Sequence, residues 1–185
     1  MQNKIYVVRH CEANGQSSES HLTEKGLIQA KCLVELFSNI KIDRIISSPF
    51  IRAIQSADPL SVISNIKIEI DERLSERKLS AKDLPDWYEK LKATFYDLNL
   101  RYEGGESSQE AMNRIVNVVE DVRKSGTEST VIVSHGNIIS LLLKHYNHNF
   151  GFECWENLSN PDVFQIYYFQ NEVKMERIWN EDMCN

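Results

Sequence analysis

Five side chains have the types that phosphoryl transfer requires, and each follows a short apolar run that predicts a β-strand. They are two arginines, two histidines and one glutamate: Arg9, His10, Arg52, Glu76 and His135. In open α/β sheets, ligands bind where the carboxyl ends of the strands meet. We therefore expect these side chains to converge at one edge of a sheet.

Each residue type has a task in this chemistry. The non-bridging oxygens of a phosphoryl group carry charge that must be neutralised, and the planar forks of Arg9 and Arg52 offer paired donors to them. One neutral histidine attacks phosphorus and forms a covalent intermediate, while His135 donates hydrogen bonds to the same oxygens. Glu76 is the candidate that protonates the leaving alcohol and later takes a proton from water. Because cationic side chains neutralise the charge, we expect neither a metal nor a cofactor.

The two glutamates near these residues have second interpretations. Glu76 lies in a charged run, 71–78, which is also typical of a solvated face. Glu12 competes for the acid role, although it is equally suited to orienting the backbone around it. Both interpretations stay open at the level of the sequence.

The elements that must position these residues alternate between strands and helices. This order predicts a mainly parallel sheet covered by helices on both faces. A terminal hairpin at 163–169 and 173–179 would add an antiparallel edge. Further strands are predicted at 5–8, 45–46, 66–70 and 130–133, and helices are predicted to begin near 23, 49, 107 and 137.

Helix ends have their own signals. Thr23 is the predicted N-cap of the first helix. Ser107 and Glu110 have the spacing of a capping box. Pro49 stands where a helix can begin, and we expect Pro59 to end that helix.

Five ordered segments surround the candidate residues: Arg9-His10-Cys11-Glu12, Leu22-Thr23-x-x-Gly26-x-x-Gln29-Ala30, Ser47-Ser48-Pro49-x-x-Arg52-Ala53-x-Gln55-x-Ala57, Gly104-Gly105-Glu106-Ser107 and Ser134-His135-Gly136. In this order they closely resemble the histidine phosphatase superfamily, which contains the cofactor-dependent phosphoglycerate mutases. The resemblance extends over most of the chain, so it is more specific than any one segment.

The resemblance implies the three-layer α/β/α sandwich of the phosphoglycerate mutase-like fold. It implies that His10 is the phosphorylated nucleophile and that Arg9, Arg52 and His135 bind the phosphate. Glu76 would occupy the acid/base position. Members of this family work without a metal.

The sequence departs from the family pattern beside the nucleophile. Cys11 stands where glycine is common, so its side chain must fit close to the phosphate. Gln16 stands where asparagine often touches the phosphate, and its similar amide is a candidate for the same contact. The neighbouring arginine and histidine would lower the pKa of the Cys11 thiol, which suggests a thiol sensitive to oxidation.

The predicted function is metal-independent hydrolysis of phosphomonoesters through phospho-His10. We expect residues 1–185 to form one domain with a short inserted cap at about 77–105. Aromatic residues in that insert could cover the active site or simply pack a short helix. A phosphoglycerate mutase-type phosphomutase and a non-catalytic phospho-ligand binder are the alternatives. The expected partner is a small phosphorylated metabolite, with a phosphoprotein as a second class.

Composition excludes several other classes of protein. The chain has 185 residues, 42% of them hydrophobic, and a net charge of −6. Such a chain can bury a core and offers no basic surface for nucleic acid. No apolar stretch approaches the roughly 18 residues of a membrane span, so we expect a cytoplasmic protein without membrane contacts. We expect its four cysteines to be reduced thiols in that compartment.

Overall fold

The computed structural model describes residues 3–169 and 172–184. Within these residues, six strands form one mixed sheet in the order β3-β2-β4-β1-β5-β6. The first four strands in this order are parallel, and β5 and β6 extend the sheet with antiparallel pairing. The strands are β1 (Lys4–Arg9), β2 (Arg44–Ser47), β3 (Ile68–Ile70), β4 (Ser129–Ser134), β5 (Asp162–Phe169) and β6 (Glu172–Arg177).

Helices cover both faces of the sheet and confirm the predicted α/β/α layers. They are α1 (Glu24–Phe37), α2 (Ile51–Ser64), α3 (Trp87–Tyr96), α4 (Ser108–Lys124), α5 (Gly136–Tyr146) and α6 (Phe152–Glu156), with short 3-10 helices at Glu72–Leu74 and Glu181–Cys184. Among the described residues, no helix has the length and apolar character to cross a membrane.

The sheet separates two apolar cores. Alternation along β1 sends Tyr6 and Val8 to the core under α1 and α2, whereas Ile5 and Val7 enter the core under α4 and α5. Every residue of β4 is buried, as expected for a central parallel strand covered on both faces. These two cores hold the carboxyl ends of the strands in place.

The predicted caps at the starts of α1 and α4 are confirmed, whereas α2 begins two residues after Pro49, at Ile51. The hydroxyl of Thr23 accepts a hydrogen bond from the backbone N–H of Gly26 at the start of α1. At the start of α4, Ser107 and Glu110 form a reciprocal capping box. Each cap satisfies backbone donors that the first turn of a helix leaves unpaired.

The predicted end of α2 is wrong. The helix continues through Pro59 to Ser64 and ends where Asn65 adopts a left-handed conformation with φ of 54°. Proline removes one backbone hydrogen bond, but Ala57 and Leu60 pack into the core on either side of it, and this packing maintains the helix. The predicted strand at 66–70 is shorter, since β3 begins at Ile68.

The terminal hairpin forms as expected, and its strands β5 and β6 make the antiparallel edge. Residues 170 and 171 of the predicted connection lie outside the described residues. The expectation of four reduced thiols is wrong for one pair. Cys32 and Cys184 form a disulfide that joins α1 to the last 3-10 helix, because the chain returns to α1 after the hairpin.

Candidate active site

The neighbouring parallel strands β1 and β4 bring the two predicted histidines together. β1 and β4 pair in register, with Arg9 opposite Ser134. The backbone N–H of His10 then donates to the carbonyl of Ser134 at 3.0 Å. His135 follows β4 directly, so the two histidine rings lie side by side with centroids 5.2 Å apart.

The imidazole of His10 is held in one orientation. Its Nδ1 lies 2.7 Å from the carbonyl oxygen of Cys11. A carbonyl oxygen only accepts hydrogen bonds, so Nδ1 carries the proton and the lone pair lies on Nε2. Nε of Arg52 donates to that nitrogen at 3.1 Å. His10 therefore presents Nε2 as a neutral nucleophile beside a cation.

The surroundings of His10 keep the ring uncharged. Its pKa is lowered from the ordinary value of 6.5 to about 3, mainly by burial and in smaller part by the charges of Arg52 and Arg9. The bond to the Cys11 carbonyl acts in the opposite direction. Protonation would block the nucleophile, so this environment preserves the reactive form in acid.

We expect the His10 imidazole to remain neutral at about pH 4.5, where an unperturbed histidine is almost fully protonated. Its imidazole ¹⁵N shifts in an NMR titration measure this, with the denatured chain in the same buffer as control. Since the folded pKa lies below the unfolded one, the unfolded chain binds more protons and stability falls as the pH drops below about 6.5. A His10 transition near the ordinary value would contradict this expectation.

Arg52 is fixed by its neighbours. It is 1% exposed, and its NH1 donates to the backbone carbonyls of Gln16 and Ser17. The segment after β1 and the first turn of α2 are thereby joined. The guanidinium is held against His10 before any ligand binds, which reduces the cost of ordering it.

Arg9 is fixed from the opposite side. Its NH1 donates to the backbone carbonyl of Leu158 at 2.7 Å, whereas its buried Nε has no partner within the described ranges 3–169 and 172–184. A Cβ on Gly136 would lie 2.9 Å from that Nε. Glycine at this position therefore leaves room for the arginine beside the N-terminus of α5.

His135 has one free ring nitrogen. Its Nε2 lies 2.7 Å from the hydroxyl of Ser48, while its buried Nδ1 has no partner among the described residues. When the hydroxyl of Ser48 donates to Nε2, the proton of the neutral imidazole is on Nδ1, which can then donate to a ligand. Burial lowers the pKa of His135 well below its ordinary value, and the neighbouring His10 and Arg52 add to this effect.

Glu76 lies at the N-terminus of α5 rather than on a solvated face. Its two carboxylate oxygens accept backbone N–H groups of Arg77, Asn137 and Ile138 at 2.8 to 3.1 Å. The hydroxyl of Ser134 donates to the Leu74 carbonyl and holds the preceding loop. Oε1 accepts two of these bonds and Oε2 accepts one, so Oε2 retains a position that can carry or release a proton.

Glu12 has a structural role. Its carboxylate accepts from the hydroxyl of Thr23 at 2.9 Å and pairs with Lys25 at 3.2 Å. Its contacts therefore support the interpretation that it orients the backbone at the start of α1.

A pocket of about 470 Å³ opens beside these residues. Arg9, Gln16 and Glu76 line it, so the structure places these three predicted residues together. His10, Arg52 and His135 are buried against one another next to Arg9. The same pocket is also lined by four apolar side chains, Leu79, Trp87, Leu91 and Trp155.

Two asparagines near the site were not predicted from the sequence. Asn137 lines the pocket at 7% exposure, and neither polar atom of its side-chain amide has a partner in the part of the chain that the structure describes. Its position directly after Ser134-His135-Gly136 was a usable signal. The side chain of Asn160 donates from Nδ2 to the backbone carbonyl of His10 at 2.7 Å. The backbone carbonyl of Asn160 accepts from Nε2 of Gln29 at 2.6 Å. No sequence pattern marks Asn160, because only folding brings it to β1.

The expectation of a reactive thiol at position 11 is wrong. The Cys11 side chain is fully buried in the core under α1 and α2. Burial raises the pKa of this thiol to about 12, against a smaller lowering by the hydroxyl of Ser56. The thiol is therefore protonated and shielded, and Cys11 is not among the residues that line the pocket beside Glu76.

Comparisons with known proteins agree with this geometry. A protein of Hydrogenobacter thermophilus, provisionally named phosphoserine phosphatase 2, is 28% identical over 156 residues, which are 76% of each chain. The structure of a mycobacterial glucosyl-3-phosphoglycerate phosphatase matches with a TM-score of 0.77 and 21% identity, covering 97% of this chain and 99% of the other. A phosphoglycerate mutase of Bacillus anthracis matches with a TM-score of 0.76 and 19% identity, covering 99% and 95%.

The two structural matches establish the fold, in agreement with the phosphoglycerate mutase-like architecture expected from the sequence. The family itself is established by a family model that matches residues 5–181, nearly the whole chain. This chain belongs to the histidine phosphatase superfamily, branch 1.

Proposed function

We propose that this histidine phosphatase hydrolyses phosphomonoesters through a phosphohistidine formed at Nε2 of His10. The state of the imidazole carries this proposal. Nδ1 is bound to the Cys11 carbonyl, so the lone pair lies on Nε2 beside the guanidinium of Arg52. A nucleophile that attacks an anionic phosphate needs such fixed cations, because they offset the repulsion between negative charges.

In the first half-reaction, Nε2 attacks phosphorus as the ester P–O bond breaks. Arg9, Arg52 and the free Nδ1–H of His135 bind the non-bridging oxygens, and the amide of Gln16 adds a donor at the pocket mouth. The carboxyl group of Glu76 gives its proton to the leaving oxygen, so the alcohol leaves neutral. The product of this step is phospho-His10 and a carboxylate on Glu76.

In the second half-reaction, water attacks the phosphohistidine. The carboxylate of Glu76 takes a proton from that water as the new P–O bond forms. The N–P bond breaks and its electron pair returns to Nε2 of His10. Inorganic phosphate leaves, and Glu76 is again protonated for the next cycle.

The substrate that we propose is a small phosphorylated metabolite. The relatives named above act, by their names, on phosphoserine and on glucosyl-3-phosphoglycerate. We further propose that the segment 77–105 is a short inserted cap over the pocket, since Leu79, Trp87 and Leu91 of this segment line it. A pocket covered in this way favours a small ester over the surface of a phosphoprotein.

The test is to trap the phosphoenzyme. We expect ³²P from a labelled phosphomonoester to enter the protein during turnover in EDTA, and the label to be acid-labile and alkali-stable, as a phosphoramidate is. Peptide mapping should place the label on His10. Release of inorganic phosphate supports the phosphatase, whereas transfer between positions of 3-phosphoglycerate would establish the mutase instead. A chain that binds phosphate but never acquires label would be a non-catalytic binder.

A further inference from the structure

The pocket has an apolar wall that the catalytic residues do not use. This apolar wall consists of Leu79, Trp87, Leu91 and Trp155. Trp87 and Leu91 stand one helical turn apart on α3, and Trp155 comes from α6. The wall faces the same pocket as Glu76, which is the group proposed to protonate the leaving oxygen. It therefore lies where the leaving alcohol of a bound ester would be.

Packing behind the apolar wall keeps it in place. The ring centroids of Trp155 and Phe152 are 5.2 Å apart, and those of Phe152 and Phe95, on α3, are 5.7 Å apart. Tyr88 contacts the same Phe152 ring at 5.1 Å and donates its hydroxyl to Glu156. These contacts join α3 to α6, so the wall is formed before a ligand binds. A preformed surface loses little entropy on binding.

Charges around the pocket do not favour a second anionic group on the substrate. Among the described residues, Arg9, Glu76 and Arg77 are the charged side chains that line it. Arg9 belongs to the phosphate site. Arg77 is 6% exposed and already donates to the hydroxyl of Thr94 and to the carbonyl of Glu106. A carboxylate or second phosphate on the leaving group would therefore find no unpaired cation among these lining residues beyond Arg9, only the amides of Gln16 and Asn137, the carboxyl group of Glu76 and apolar carbon.

We propose that this pocket selects phosphomonoesters whose leaving alcohol carries an apolar, preferably planar, body, and that Trp87 is a main determinant of this preference. The inference rests on the proposed function and deepens it, since it names the class of leaving group. Small hydrophilic and anionic leaving groups would gain nothing from the apolar wall. The proposal predicts a preference opposite to that of a phosphoserine or phosphoglycerate enzyme.

The preference should appear in kcat/KM. Phenethyl phosphate and ethyl phosphate are both esters of primary alcohols, so their leaving oxygens are similar and their apolar areas differ. Burial of a phenyl ring on the apolar wall should make kcat/KM about 10- to 100-fold larger for phenethyl phosphate. Phosphoserine should be hydrolysed with a kcat/KM no better than that of ethyl phosphate.

Substitutions on α3 test whether Trp87 causes the preference for phenethyl phosphate. Trp87 is 51% exposed, so Trp87→Ala should fold. The ratio of phenethyl to ethyl kcat/KM should fall about five- to tenfold in this variant. Trp87→Leu retains apolar surface and should retain most of the ratio. Tyr96→Ala is the matched control, because Tyr96 is an aromatic residue of the same helix, 72% exposed and outside the apolar wall. This control should leave the ratio unchanged.

The outcomes separate this inference from the proposed function. A wild-type chain that hydrolyses both esters equally, or prefers phosphoserine, overturns the inference while phosphatase activity stands. A ratio that survives in Trp87→Ala also overturns it, since another surface would then cause the preference. If none of these esters is hydrolysed and His10 acquires no label, the proposed function fails first.

Discussion

Replacement of His10 by alanine is expected to reduce turnover of any phosphomonoester by roughly 10⁴-fold or more, because the variant has no nucleophile to form the covalent intermediate. The cations of the phosphate site remain, so phosphate binding should persist. The measurement is kcat/KM for p-nitrophenyl phosphate in EDTA, together with calorimetric binding of inorganic phosphate. Retained binding with lost turnover identifies His10 as the nucleophile rather than as a scaffold residue.

The control for His10→Ala is an exposed histidine outside the site. His148 lies on the surface after α5, and His148→Ala should keep wild-type activity. Thermal unfolding of both variants should be measured beside their activity. His10 is buried, and Arg52 loses a hydrogen-bond partner when the His10 ring is removed. Turnover within tenfold of the wild type in a folded His10→Ala chain would rule out the phosphohistidine.

Substitution of Glu76 by glutamine should reduce kcat/KM by about 10² to 10⁴-fold for an alkyl ester, because general acid catalysis of the leaving step is lost. The effect should be about tenfold or less for p-nitrophenyl phosphate, whose leaving phenolate needs no proton. kcat/KM reports the first irreversible step, so the comparison isolates formation of the phosphohistidine from its hydrolysis. Phenethyl and p-nitrophenyl phosphate are the two substrates to compare.

Glu76→Gln also tests the structure around α5. The carboxylate accepts three backbone N–H groups, from Arg77, Asn137 and Ile138. A glutamine amide has one accepting oxygen, so part of this set loses its partner and the melting temperature should fall slightly. Glu89→Gln, on the exposed side of α3, is the matched control. Equal losses on both esters would contradict the acid role and assign Glu76 to positioning α5.

The loop between α6 and β5 holds Arg9 and His10 in place, although it lies outside the sequence motifs. The carbonyl of Leu158 accepts from Arg9, and the side chain of Asn160 donates to the His10 carbonyl. Both contacts join residues that are about 150 positions apart in the sequence. The orientation of Arg9 and His10 at the carboxyl end of β1 therefore depends on the terminal hairpin, which follows this loop.

Local patterns were sufficient for much of the fold and site. Apolar alternation along β1 predicts the strand, and the position of Thr23 predicts the start of α1, because both depend on nearby residues. The five candidate residues follow strands whose carboxyl ends meet in any parallel sheet. Pro59 shows where this reasoning fails, since core packing of its neighbours outweighed one lost hydrogen bond.

The order of apolar runs and motif residues along the chain was enough to predict the layers, the family and the residues at the strand ends. The orientation of those side chains and their surroundings followed from folding. Cys11 became a buried, protonated thiol, Asn160 reached His10, and Trp87 and Trp155 came to line one pocket. Burial, desolvation and contacts between distant segments arise only once the chain has folded, so no short-range pattern encodes them.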